Sequence, residues 1–513
     1  MHQRALAIRE QQLGAEHPDT ATSLNNLAIL YSLQGKYAEA EPLYQRAIVI
    51  EERQLGPEHP DTVTSRDNLA GLYSHQGRYA EAEPLLAQAL AIREQQFEAE
   101  HLYIAQSLNN LAALYSLQGK YEQAEPLYQR ALAIREQQLG PLHSDTAVSL
   151  NNLADLYRIQ GKYAEAEPLY RRALAICEQG LGPLHPHTAL SLNSLAELYY
   201  SQGKYGQAEP LLTQALSICE QALGPLHPYT ALSVNNLAGL YQVLGKYAEA
   251  EPLHLRALAI REQEPGPLHP HTALSLNNLA GLYLLQGRYT EAEPLYLRAL
   301  AIREQQLGAE HIDTAGCLND LAALYSHRGK YRQAELFYQR ALAIYERELG
   351  PLHPQIAVSL NNLADLYRVQ CKYEQVEPLL KRALAICEQQ LGPEHPDTAL
   401  SLNNLALLYA EQGRYPEAEP LYQRALAVYE QRLGAQHPDT APSLNNLAHL
   451  YKNQGKYAEA EPLYARALAI YERRLGAQHP DTLIVRRNYT QLLQKMGRDE
   501  PGGSRETNQT PSS

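Results

Sequence analysis

The chain has 513 residues, 45% of them hydrophobic, with a formal net charge of −13, no Trp and only two Phe. No apolar run approaches the ~20 residues that cross a bilayer, and the opening MHQRALAIRE lacks a signal-peptide core, so a cytoplasmic protein with no membrane partner is expected. The acidic balance disfavours nucleic acid, whose phosphates need Lys and Arg, and the scattered Cys177, Cys219, Cys317, Cys371 and Cys387 read as free thiols of a reducing compartment.

In chain order, Gln3 to Gly14 (QRALAIREQQLG) matches Gln129 to Gly140, the second half of a longer unit. Residues 1–19 therefore read as an incomplete repeat that opens inside a helix, and a piece of a longer parent is expected. A first full helix is predicted over Thr20–Gln34, with Asp19 or Thr20 as its N-cap. Leu24, Leu27, Ala28 and Tyr31 form its apolar stripe at i, i+3, i+4, i+7 spacing. Gly35 breaks it. A second helix is predicted from Ala38 to Gln54, burying Ala40, Leu43, Tyr44, Ala47 and Ile50, with Pro42 early enough to cost little and Gly56 as its C-cap. The link GPEHPDT (Gly56–Thr62) carries a histidine that recurs twelve times, from His17 to His479.

The unit then repeats. The leucine of its NNLA core stands at Leu27, Leu69, Leu111 and every 42 residues to Leu447, with no insertion. A fixed period of this length signals a solenoid, in which each unit buries its apolar face only against its neighbours. Eleven repeats are expected over residues 20–481. Residues 482–497 supply one more first helix, in which Arg486 and Arg487 replace the usual Leu and Asn, as suits a polar cap. Residues 498–513 contain no aliphatic or aromatic side chain and are expected to be disordered.

Helix pairs carrying Leu24, Leu27, Ala28, Tyr31, Gly35, Tyr37, Ala40, Tyr44 and Ala47 closely resemble the tetratricopeptide repeat. The 42-residue form, with NNLA, LY, GKYAEAEPLY, RALAI and LGPEHP, is similar to the cargo-binding repeats of kinesin light chain and its bacterial relatives over about residues 3–497. The resemblance implies an all-α, right-handed superhelical solenoid of antiparallel helix pairs whose concave groove binds protein. No heptad segment outside the repeats matches the family's motor-binding coiled coil, and the repeats outnumber those of a typical light chain. Similar arrays follow signalling ATPase or caspase-like domains, so one alternative is the sensor or ligand-binding module of such a protein, with an upstream effector domain. A kinesin light chain-like cargo adaptor is another.

The repeated asparagines are the main candidates for a site. The first column comprises Asn25, Asn109, Asn151, Asn193, Asn235, Asn277, Asn319, Asn361, Asn403 and Asn445, and the second Asn26, Asn110, Asn152, Asn236, Asn278, Asn362, Asn404 and Asn446, with Asn68 and Asn488. At about 100° per residue they lie on the side of the helix away from the apolar stripe, and an amide can serve both the N–H and the C=O of an extended peptide. One column bonding only to the neighbouring repeat is the competing reading. Specificity is expected from variable groove positions: Asp155, Arg158, Glu197, Tyr200, Asp365, Arg368, His449 and Lys452. Asp155–Arg158 and Asp365–Arg368 also read as intrahelical i, i+3 pairs.

Successive link histidines, spaced by about 8–10 Å if repeats stack at helix packing distance, cannot share an ion whose ligands bond at ~2.0 Å. They read as linker hydrogen-bonders, with no metal. No GxxxxGK[ST], GxSxG, HExxH or paired CxxC occurs. A uniform ladder supplies no converging catalytic set. The sequence therefore predicts a non-enzymatic scaffold or adaptor for a protein or extended peptide, without cofactor. An RNA-reading helical repeat is the least favoured alternative, because the groove is poor in basic residues.

Overall fold

The computed structural model describes residues 2–498, in which 24 helices and no strand occur. The expected disordered tail lies, from residue 499 on, outside the described residues. Arg498 itself hydrogen-bonds Glu461 at 2.8 and 2.9 Å.

Each repeat is a helical hairpin, exemplified by Pro18–Leu33 (helix A) and Tyr37–Gln54 (helix B). Leu24 and Ala21 of helix A bury against Ala47 and Ile50 of helix B. Burying a leucine is worth about 1.5–3 kcal/mol, and the alanines let the helix axes approach. Helix A ends at a tight turn in which Gly35 adopts φ 72°. At the equivalent Cys371 the turn keeps its shape, with φ 58°, the one positive φ outside glycine among the described residues.

Helix A begins two residues earlier than expected, and its cap is neither Asp19 nor Thr20. His17 is the N-cap: its Nδ1 accepts the Asp19 backbone N–H at 3.1 Å. The same bond recurs at His59, His143 and His395. Pro18 fills the first helical position, where a missing N–H costs nothing. Thr20 is drawn instead to the preceding link, donating its hydroxyl to the Gly14 carbonyl at 2.9 Å. The histidine ladder is thus a series of helix caps, satisfying N–H groups that every helix start leaves open.

A second invariant set joins neighbouring repeats. Glu41 of helix B accepts from the next repeat's Tyr73 hydroxyl at 3.1 Å and Arg78 at 2.7 Å, and the Arg78 guanidinium lies 4.0 Å from the Tyr73 ring centre. Glu251 repeats this with Tyr283 and Arg288, and Glu377 with Tyr409 and Arg414. The LY, GK and AEAEP columns of the sequence meet in this cluster.

The chain divides into two compact units, one of residues 2–242 with 246–372 and the other of 373–498 with 243–245. In the first unit, repeats six apart in sequence touch. Ile312 and Leu349 pack against the apolar cluster around Leu69, Leu72, Tyr79 and Leu111. His269 Nε2 lies 3.3 Å from the Leu33 carbonyl oxygen and His311 Nε2 3.0 Å from that of His75. Charge interrupts the apolar core over the first two repeats: Arg66 stands at a leucine position and pairs with Glu52 of the first repeat at 2.7 Å, Arg93 pairs with Asp67 at 2.6 Å, and Glu51 of the first repeat is only 3% exposed.

In the second unit, helices from Tyr373–Gln390 to Pro480–Lys495 pack consecutively. Val485, Tyr489, Leu492 and Leu493 bury against Ala441, Leu444, Tyr464 and Ile470. Arg487 stays exposed, and Arg486 is half-exposed and pairs with Glu472 at 2.8 Å.

Candidate functional site

The asparagine columns run along the A helices, half-buried for the most part, with Asn26 exposed and Asn193, Asn319 and Asn403 buried. They bond first to each other. In the first unit the second-column amides of Asn68, Asn152, Asn236 and Asn278 donate to the first-column oxygens of Asn25, Asn109, Asn193 and Asn235 in the preceding repeat, at 2.8–3.3 Å. In the second unit Asn446 and Asn488 do the same with Asn403 and Asn445, at 3.4 and 3.0 Å. First-column amides also donate forward: Asn151 to Ser191, Asn193 to Ser233 and Asn319 to Ser359. Asn277 donates to Asp320, which stands in the second column. Burial pushes the Asp320 carboxyl up, partly offset by that bond.

Both columns therefore stitch repeats together, and what remains for a ligand is the valences left over. The side-chain oxygens of Asn151 and Asn319 are buried without a hydrogen-bond partner. For Asn151 the cause is local, because the next second-column residue is Ser194, whose short side chain replaces the usual amide donor. A buried amide oxygen left unpaired costs about 1–3 kcal/mol and accepts any N–H brought to it.

Among the specificity candidates, Asp155, Arg158 and Glu197 form one chain across two repeats: Arg158 lies 3.8 Å from Asp155 and 3.1 Å from Glu197. The Tyr170 hydroxyl donates to Asp155 at 2.5 Å. Asp365 and Arg368 pair within their helix at 2.6 Å, and the Tyr200 ring lies 5.7 Å from that of Tyr205. In the second unit Lys452 is buried, and burial, with Lys495 nearby, lowers its ammonium. Burial, with Lys452 nearby, likewise lowers His449.

Two departures from the repeat open a cavity of about 230 Å³, lined by Asn193, Ala196, Glu197, Tyr200, Leu212, Asn235, Asn236 and Gly239. Leu212 stands where Tyr44, Tyr128, Tyr170 and Tyr296 stand in other repeats, and removes a ring and its hydroxyl. Gly239 stands where Asp155, Leu407 and His449 stand, and a Cβ built there meets nothing within 4 Å. Sequence reasoning placed Glu197, Tyr200 and the asparagines here but missed Leu212. The break in the tyrosine column was the available signal.

No group of three or more His, Cys, Asp or Glu converges on a metal-sized site among the described residues. The five cysteines are unpaired, four of them buried. No helix of the described residues is long and apolar enough to cross a membrane.

The tetratricopeptide repeat profile matches twelve overlapping segments, from residues 1–50 through 103–179 and 273–347 to 439–501. The chain belongs to the tetratricopeptide repeat family. Among solved structures, this tetratricopeptide protein is 31% identical to a Podospora anserina kinesin light chain-type protein of nearly identical TPR-like repeats, with 40% of this chain and 97% of that one covered and a TM-score of 0.35. It is 26% identical to BtubC (BKLC) from P. vanneervenii, over 47% of this chain and 93% of that one, with a TM-score of 0.36. No curated protein matches its sequence significantly.

Proposed function

We propose that this chain is a non-enzymatic scaffold that holds an extended segment of another protein along its A-helix groove, anchored at the Asn193–Gly239 cavity. Tetratricopeptide repeats generally bind proteins or peptides. The observation that carries the finer reading is the cavity itself, one repeat away from the unpaired Asn151 oxygen. It has room for one side chain. The Tyr200 ring at the mouth favours a cationic anchor, since a Lys or Arg over a tyrosine face gains about 0.5–1 kcal/mol at exposed sites. The free thiols suit a reducing, cytoplasmic setting.

A peptide array probed with the 513-residue chain tests this. Selected peptides should share a Lys or Arg, and Gly239→Leu, which fills the cavity with a residue already used at Leu407, should weaken them about tenfold or more while helicity is unchanged. Equal binding by Gly239→Leu would remove the cavity from the proposal.

A further inference from the structure

The contacts between repeats six apart use two edges of the hairpin. One edge is the link, with its histidine and the following residue. The other is the turn after helix A, with its glycine and the last helical carbonyls. In the first unit, His269 and Pro270 cover Gly35, His311 and Ile312 cover Gly77, and His353 and Pro354 cover Gly119. The fit is tightest at Gly35, where a Cβ would lie 2.7 Å from Pro270 Cδ; one on Gly119 would lie 3.1 Å from His353 Cδ2, and one on Gly77 would make ordinary contact with His311 at 3.5 Å. The hydrogen bond follows from the cap. Because Nδ1 of each link histidine accepts its own helix's N–H, the proton sits on Nε2, which donates to a helix-end carbonyl: His269 to Leu33, His311 to His75 and His353 to Leu117.

Both edges occur again in the same unit without cover. Gly35, Gly77 and Gly119 are buried, whereas Gly287 and Gly329 are exposed, and nothing lies within 4 Å of a Cβ on either. Their φ values, 72° and 71°, match the 72°, 71° and 72° of the covered turns. On the link side, His269 and His311 are 7% and 5% exposed, against 41% and 38% for the side chains of His17 and His59. His17 and His59 keep the same cap bond and so present the same Nε2–H. Leu285, 57% exposed, and His327 end their A helices as Leu33 and His75 do. Both edges step by 42 residues, so His17 can face Gly287 while His59 faces Gly329 in one register.

The geometry points to a second copy of this chain as the occupant of these edges, added head to tail through the link-on-turn contact that already joins repeats six apart. The two edges are different surfaces. Such a heterologous contact leaves one of each exposed after every addition and grows into open assemblies rather than closing as a symmetric dimer. In the second unit, Gly413 and Gly455 carry the same open turn.

Sedimentation velocity on the 513-residue chain, over rising concentration at neutral pH, tests this surface independently of peptide binding. Mass should climb beyond the pair. His17→Asn/His59→Asn keeps a good N-cap but loses the ring and its donor, and Leu285→Glu/His327→Glu places charge on the turn edge. Each variant should raise the concentration needed for assembly about tenfold or more, with circular dichroism unchanged. Mixed together, the variants should form pairs and stop there, because each retains one working edge. A chain that stays monomeric, a native assembly that ends at the dimer, or two variants that assemble like the native chain would each overturn the proposal.

Discussion

The turns at Gly35 and Gly287 are the same local structure in two settings. Both follow a helix A, both adopt φ 72°, and both lead into a tyrosine-started helix B, yet one is roofed by His269 and Pro270 and the other is open. The difference shows that a repeat sequence can carry surface that works only at some positions of the array. The histidine serves each helix start as a cap, and at His269 and His311, where another repeat arrives, it has a second hydrogen bond.

Gly35→Ala and Gly287→Ala put the comparison to its hardest test. Both place a Cβ in the left-handed region at about 1–2 kcal/mol. Only Gly35→Ala also drives it into a rigid proline ring, so its urea midpoint should show a loss of about 3 kcal/mol against about 1 for Gly287→Ala. Equal losses would mean that the roof yields freely.

Acid should weaken the covered rungs by a smaller amount. Burial lowers His269 and His353 to about 4; for His269, the neighbouring His271 and Arg261 add to this and the Leu33 carbonyl opposes it, and for His353 the Leu117 carbonyl opposes it. A histidine whose folded value lies below its unfolded 6.5 contributes fully above pH 6.5 and loses that contribution as pH falls toward 4. Up to about 2 kcal/mol per site should disappear between pH 6.5 and 4.5, read as loss of amide protection beside His269 and His353 over that range. His269→Asn should flatten the response at its own rung.

Glu51 sharpens the point with the opposite sign. Burial raises its carboxyl to about 7, with the nearby Ser65 hydroxyl opposing and Asp61 adding to the rise. An acid whose folded value exceeds its unfolded 4.5 weakens the fold as pH climbs through 4.5 to 7. Glu51→Gln should therefore stabilise by about 1–2 kcal/mol at pH 8 and by almost nothing at pH 4, as measured by thermal melting. The smallest effect should distinguish cap from clip: His59→Asn is expected to be nearly neutral, while His269→Asn should cost about 1 kcal/mol through its second hydrogen bond.

Much of this molecule was legible because a solenoid is local. Leu24, Leu27 and Ala28 meet Tyr44, Ala47 and Ile50 within one or two repeats, so periodicity alone predicted the helix pairs and their turns. The 42-residue register and the family were contained in the order of residues. The cap was misassigned because Asp and Thr are the commoner helix starters, and only the placed imidazole shows Nδ1 on the Asp19 N–H while Thr20 turns back to Gly14. The asparagine columns looked like free ligand donors because spacing gives direction but not partner; the tertiary structure commits most of them to one another and leaves the Asn151 oxygen unpaired beside Ser194. The cavity at Leu212 and Gly239 and the roof over Gly35 needed the fold for the same reason. Each depends on residues brought together from different repeats, and distance across repeats, unlike helical period, is not written in any one stretch of chain.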